Sequence, residues 1–87
     1  MNNQTIQNRL VAFLNTVTGQ TTFSGETDLF DAGATDSLTM MDLLVFVETE
    51  FQVRLAFTDL TPEVFRTPAT LAQLVTERLP KTQRSAA

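Results

Sequence analysis

The sequence predicts an all-α fold, a small four-helix bundle of three main helices plus a short third one, with a long loop between helices one and two. Three observations carry this. Apolar residues recur at helical spacing in three separate segments. Glycine and proline punctuate the ends of those segments. The one stretch that alternates in the manner of a strand, through Val53, Leu55 and Phe57, has no second such run to pair with.

The first helix is expected from about Thr5 to Thr18. Ile6, Leu10, Phe13, Leu14 and Val17 share a face, and Gly19 stops it. Gly19 to Asp36 then reads as a long loop, a kind of segment that is uncommon in compact domains and often functional. Phe23, Leu29 and Phe30 are expected to pin it to the core. The second helix should run from about Ser37 to Phe51, with Leu38, Met40, Leu43, Leu44, Val47 and Phe51 on one broad face. After a second connection, Gln52–Thr61, the run Thr61-Pro62-Glu63 looks like a cap with proline at the first helical position, giving a short third helix that ends near Arg66. Thr67-Pro68 repeats the device, and Leu71, Leu74, Val75 and Leu79 define the last helix, ended by Pro80. Residues 1–80 therefore form one domain, and the polar segment 81–87 is expected to be a disordered tail.

Composition narrows the chemistry. The 87-residue chain has no cysteine and no histidine, so a disulfide framework, a thiolate metal site and the commonest general base are all absent. Catalysis through a Cys–His or Ser–His pair is therefore excluded while carboxylate chemistry stays open, and Asp28 and Asp31 lack the ligand spacing of a calcium loop, so no catalytic residue and no metal site is expected. Between Glu26 and Glu63 nine acids face a single base, Arg54. Such a segment repels nucleic-acid backbones and attracts partners with basic patches. No apolar run approaches the roughly 20 residues of a membrane span, and the start, MNNQTIQNRL, lacks the pattern of a secretory signal. A cytoplasmic monomer without membrane insertion is the expectation.

The stretch Gly33 to Met41, GATDSLTMM, is where the long loop meets the second helix. Either Asp36 or Ser37 is a good N-cap, since the side-chain oxygens of both accept hydrogen bonds from first-turn N–H groups. The wider run LFDAGATDSLTMMDLLVFVETEF resembles the signature of the acyl and peptidyl carrier proteins. The resemblance extends from about Ile6 to Leu79. It implies that Ser37 receives a 4′-phosphopantetheine arm from coenzyme A, that Asp36 serves recognition by the phosphopantetheinyl transferase, and that Leu38 is the family's leucine. Fatty-acid carriers usually place glycine three residues before the serine, where this chain has Ala34, with Gly33 one residue earlier. They also place an acid two residues after it, where this chain has Thr39. The form LFDAGATDS looks more like carriers of D-alanine or of polyketide extender units.

The resemblance further implies a discrete carrier, without catalytic activity, of a polyketide or mixed polyketide/nonribosomal peptide pathway. Its partners would be the transferase, an acyl-loading enzyme (an acyltransferase or adenylating ligase) and a downstream ketosynthase or condensing enzyme. Met41, Val45 and Glu48 follow i, i+4, i+7 on a side away from the core, and with Asp42 they form the expected docking face. Two alternatives stand beside this reading. One is a peptidyl or D-alanyl carrier; the other is a helical interaction module in which Ser37 is only a cap.

Overall fold

The computed structural model describes residues 2–33 and 36–79, apart from the side chains of Ser37 and Phe57. Three α-helices form the body: α1 (Asn3–Thr18), α2 (Ser37–Phe51) and α3 (Pro68–Arg78). A single 3₁₀ turn, Phe57–Asp59, lies between α2 and α3. No strand occurs among the described residues.

Helix α1 starts two residues ahead of the expected Thr5. Asn2 is its cap, with Oδ1 accepting the Thr5 N–H at 2.8 Å. Gly19 ends it in the left-handed region (φ 74°), where its N–H reaches the Asn15 carbonyl at 2.9 Å. Ile6, Leu10 and Leu14 are fully buried, and α1 packs more extensively on α3 than on α2. Phe13 is only half-buried and Val17 is exposed, so the apolar face of α1 is narrower than its periodicity predicts. These two sit on the edge that looks across to α2, where the helices draw less closely together.

Helix α2 has the predicted bounds. Leu43, Val47 and Phe51 are buried, Met40, Leu44 and Phe46 are half-buried against them, and Gln52 closes the helix in the left-handed region (φ 54°). The next connection runs without helix or strand to the 3₁₀ turn, burying Val53 and half-burying Leu55.

The expected short third helix is not a helix. Residues 62–65 make one turn, in which the Thr61 carbonyl accepts from Val64 and Phe65, and Thr61 Oγ1 accepts from Val64 at 3.3 Å. The turn cannot propagate, because Pro68 follows closely and favours extended backbone at Thr67, which has φ −138° and ψ 159°. Thr67 instead begins α3. Its Oγ1 accepts the Thr70 N–H at 3.1 Å, and Thr70 Oγ1 accepts the Thr67 N–H at 3.1 Å, a reciprocal capping box with Pro68 just inside. Leu71, Ala72, Leu74 and Val75 are the buried side of α3. The expected stop at Pro80 and the tail 81–87 lie outside the described residues.

Phe23 and Leu29, from the long loop, join Ile6, Leu10, Leu14, Leu43, Val47, Phe51, Phe65, Leu71 and Val75 in one core cluster. The described part of the loop is thus part of the packed body.

Candidate functional site

The loop's last described stretch before the site is not irregular. Asp28 Oδ1 accepts the N–H groups of Phe30 (2.9 Å) and Asp31 (3.1 Å), and its carbonyl accepts from Ala32 at 3.0 Å. Gly33, at φ 74°, closes this single helical turn with its N–H on the Phe30 carbonyl at 3.2 Å. An L side chain pays a steric penalty in that left-handed conformation, which is why glycine stands there. Leu29 is fully buried, and its N–H donates to the Arg66 carbonyl at 2.7 Å. The Gly25 carbonyl accepts from Ala69 N–H at 2.9 Å, and Arg66 lies 3.5 Å from Asp28. Two backbone bonds and one ion pair therefore strap the loop to the start of α3.

Phe30 was expected to anchor this loop and does not. It is 43% exposed, with the Arg66 guanidinium 6.0 Å above its ring. Successive residues of a helical turn diverge by about 100°, so burying Leu29 swings Phe30 toward solvent. The capped turn has a local signal in the sequence: an Asp followed five residues later by Gly is the pattern of a cap and a left-handed stop.

Ala34 and Thr35 lie outside the described residues, and the chain continues at Asp36. Of the two candidate caps, Asp36 takes the role. It has extended backbone (φ −67°, ψ 162°), its Oδ1 accepts the Thr39 N–H at 2.7 Å, and its carbonyl accepts from Met40 at 2.9 Å. The Thr39 N–H holds the Asp36 carboxyl below the usual carboxylate range. Ser37 is then the first residue of α2. The N–H groups of Ser37 and Leu38, like those at any helix start, have no intrahelical partner and face the end of the helix. Together with the helix dipole they suit an anion placed at the first position.

Along α2 from that point, Leu38 (74% exposed), Met41 (60%) and Val45 (58%) form an apolar stripe in solvent. Asp42 and Glu48 flank it and are also exposed. Met40 turns toward the core and Met41 away from it, as the sequence predicts. Glu48 has a structural duty as well, since its Oε2 accepts the Leu55 N–H at 3.2 Å and holds the connection that follows α2. The structure thus brings Asp36, Ser37, Leu38, Met41, Asp42 and Val45 onto the first half of one helix, with Glu48 one turn beyond.

This arrangement is a presentation platform. A hydroxyl-bearing residue opens α2, first-turn N–H groups without intrahelical partners lie beside it, and an exposed apolar stripe runs along the helix from there. Among the described residues no cluster of three or more histidine, cysteine or acidic side chains could hold a metal ion. Nor is any described helix long and apolar enough to cross a membrane.

The profile of the family described as "Phosphopantetheine attachment site" matches residues 5–75, most of the chain. The chain belongs to this family of carrier proteins, which hold a 4′-phosphopantetheine prosthetic group, are modified by a phosphopantetheinyl transferase and interact with synthase partners. No curated protein and no solved structure matches it.

Proposed function

We propose that Ser37 is the attachment residue and that the protein carries an acyl or aminoacyl group as a thioester on the arm. The observation that supports this most strongly is the division of labour at the start of α2. Asp36 does the capping, so Ser37 is not needed as the cap. The residues present suit the arm. The N–H groups of Ser37 and Leu38 offer donors to a phosphodiester, and Leu38 and Met41 offer exposed apolar surface beside it. In the modification the Ser37 oxygen bonds to the pantetheine-side phosphorus of coenzyme A. The pyrophosphate link breaks, and adenosine bisphosphate leaves while the hydroxyl proton passes to the transferase. Once bound, the arm supplies a thiol on which an acyl group is held in a reactive thioester.

The protein contributes position, a recognition charge at Asp36 and a docking face of Met41, Asp42, Val45 and Glu48. Docking on that face brings the tethered acyl group to a partner's active site at high effective concentration. The partners are the transferase, an acyl-loading enzyme and a condensing enzyme. The motif form LFDAGATDS supports a polyketide or mixed polyketide/nonribosomal peptide pathway.

Incubation with coenzyme A and a promiscuous phosphopantetheinyl transferase, followed by intact-mass measurement, tests the reading. The account predicts a gain of one arm that Ser37→Ala abolishes. No gain, under conditions that modify a known carrier, would leave Ser37 as an ordinary first-turn residue of an interaction module.

A further inference from the structure

The exposed stripe of α2 runs into a polar hollow at the end of the helix. At about 100° per residue, Met41, Val45, Glu48 and Gln52 fall within a sector of roughly 60°. Glu48, Thr49, Gln52, Val53 and Arg54 line the hollow, whose volume is about 400 Å³. It lies where Gln52, in the left-handed region (φ 54°), breaks the helical path. Beyond that bend Val53 is buried, and Leu55 is half-buried with its N–H on Glu48 Oε2 at 3.2 Å. Arg54 stands between these two held residues, and its side chain is exposed.

The charge of Arg54 is uncommitted. The other arginines described are paired: Arg9 with Glu50, Arg66 with Asp28, Arg78 with Asp59. Arg54 makes no ion pair among the described residues, although it is the single base among nine acids between Glu26 and Glu63. Glu48 shares the hollow with it, but its Oε2 is held by the Leu55 N–H. Asp42 is exposed at the other end of the stripe and likewise has no ion pair there. Ten residues separate Asp42 from Gln52, about 15 Å of helix. The apolar surface of Met41 and Val45 lies at the Asp42 end, and the hollow with Arg54 closes the other.

We infer that this face takes a partner helix of mixed polarity, and that the hollow at Arg54 is the site of the partner's carboxylate. The inference rests on the docking face proposed above and not on attachment at Ser37. A straight stripe of this kind suits an amphipathic helix laid along it. The partner helix brings a basic residue to Asp42, an apolar face to Met41 and Val45, and an acidic residue to Arg54. A guanidinium offers a carboxylate two parallel donors, so the Arg54 contact is directional as well as attractive. An all-basic partner is drawn by the acids of the chain as a whole, but it meets like charge at Arg54. The two opposite contacts therefore set which way the partner lies along α2.

The test titrates ¹⁵N-labelled protein with stapled helical peptides that share one leucine face. They differ at two flanking positions about 15 Å apart, which carry Lys and Glu, Lys and Lys, or Glu and Glu. Ionic strength is held near 0.15 M, where screening beyond about 8 Å keeps the net charge of −4 from deciding the outcome. The Lys–Glu peptide should bind roughly threefold more tightly than the Lys–Lys peptide, shifting amides from Met41 to Arg54. Arg54→Gln should erase that preference and Arg54→Glu should reverse it, each variant being verified as folded by its melt. Equal or tighter binding of the Lys–Lys peptide to the parent would overturn the inference. So would an order that Arg54→Glu leaves unchanged, which would make Arg54 a complement to the dipole at the end of α2. Peptides that shift no amide of α2 would remove the docking face itself and this inference with it.

Discussion

Asp36 shows how one side chain serves fold and function together. Its carboxylate accepts the Thr39 N–H and so starts α2, and it places a negative charge beside Ser37, the residue proposed as the transferase's target. The two roles can be separated, because asparagine caps about as well as aspartate but carries no charge. Asp36→Asn should leave the thermal midpoint at neutral pH nearly unchanged and slow loading by the transferase on the order of tenfold. Circular dichroism melts and a timed mass assay check both halves. Equal loading rates would show that Asp36 acts as a cap alone. At this scale the sequence was informative but not decisive. It offered Asp36 and Ser37 as equal caps, and only the backbone geometry of the junction distinguishes them.

Among the elements, the main helices were legible because their signals are local. The apolar spacing of α2 and the Thr67-Pro68 start of α3 are both written within a few residues. The path of the long loop was not, since it depends on contacts distant in sequence: Leu29 on Arg66, Gly25 on Ala69, Arg66 on Asp28. The misassigned third helix has the same origin. Thr61-Pro62-Glu63 is a good start signal, but the nearby Thr67-Pro68 start leaves room for one turn only. The Asp28–Gly33 turn is a hydrogen-bonded piece of the loop, and Gly33 ends it at positive φ. A Cβ at Gly33 meets no neighbour, so Gly33→Ala tests backbone strain alone. It should cost about 1–2 kcal/mol, lowering the midpoint by several degrees in a domain of this size. A midpoint equal to that of the parent would show that the loop relaxes without loss.

For the whole molecule, acid sensitivity arises at Asp59 as well as at the start of α2. Asp59 accepts from Arg78 at 2.5 and 3.3 Å and from the Ala56 N–H at 2.9 Å, tying the 3₁₀ turn to the end of α3. Arg78, and secondarily the Ala56 N–H, hold the Asp59 carboxyl below its ordinary value. A carboxyl whose folded value is depressed stabilises the fold above its unfolded value, and that contribution is lost as pH falls through the lower folded one. Stability should therefore be level through neutral pH and decline below about pH 4. Asp59→Asn should flatten that acid limb relative to the parent in melts recorded between neutral and acid pH. Asp36, held down by Thr39, adds to the same limb.

The outward face of α2 makes its own demand at this scale. Met41 is 60% exposed and contributes little to the core, so Met41→Glu should keep the midpoint while lowering the efficiency of transfer from an acyl-loading enzyme on the order of tenfold. Unchanged transfer kinetics would remove Met41 from the docking face.

The loading and transfer effects rest on one proposed covalent event. The most direct measurement is tandem mass spectrometry of the protein after reaction with coenzyme A and transferase, locating the added mass along the chain. The account predicts a single phosphopantetheine on Ser37 and an unmodified Ser37→Ala variant. An arm on any other residue, or a chain that stays unmodified beside a modified control carrier, would contradict it.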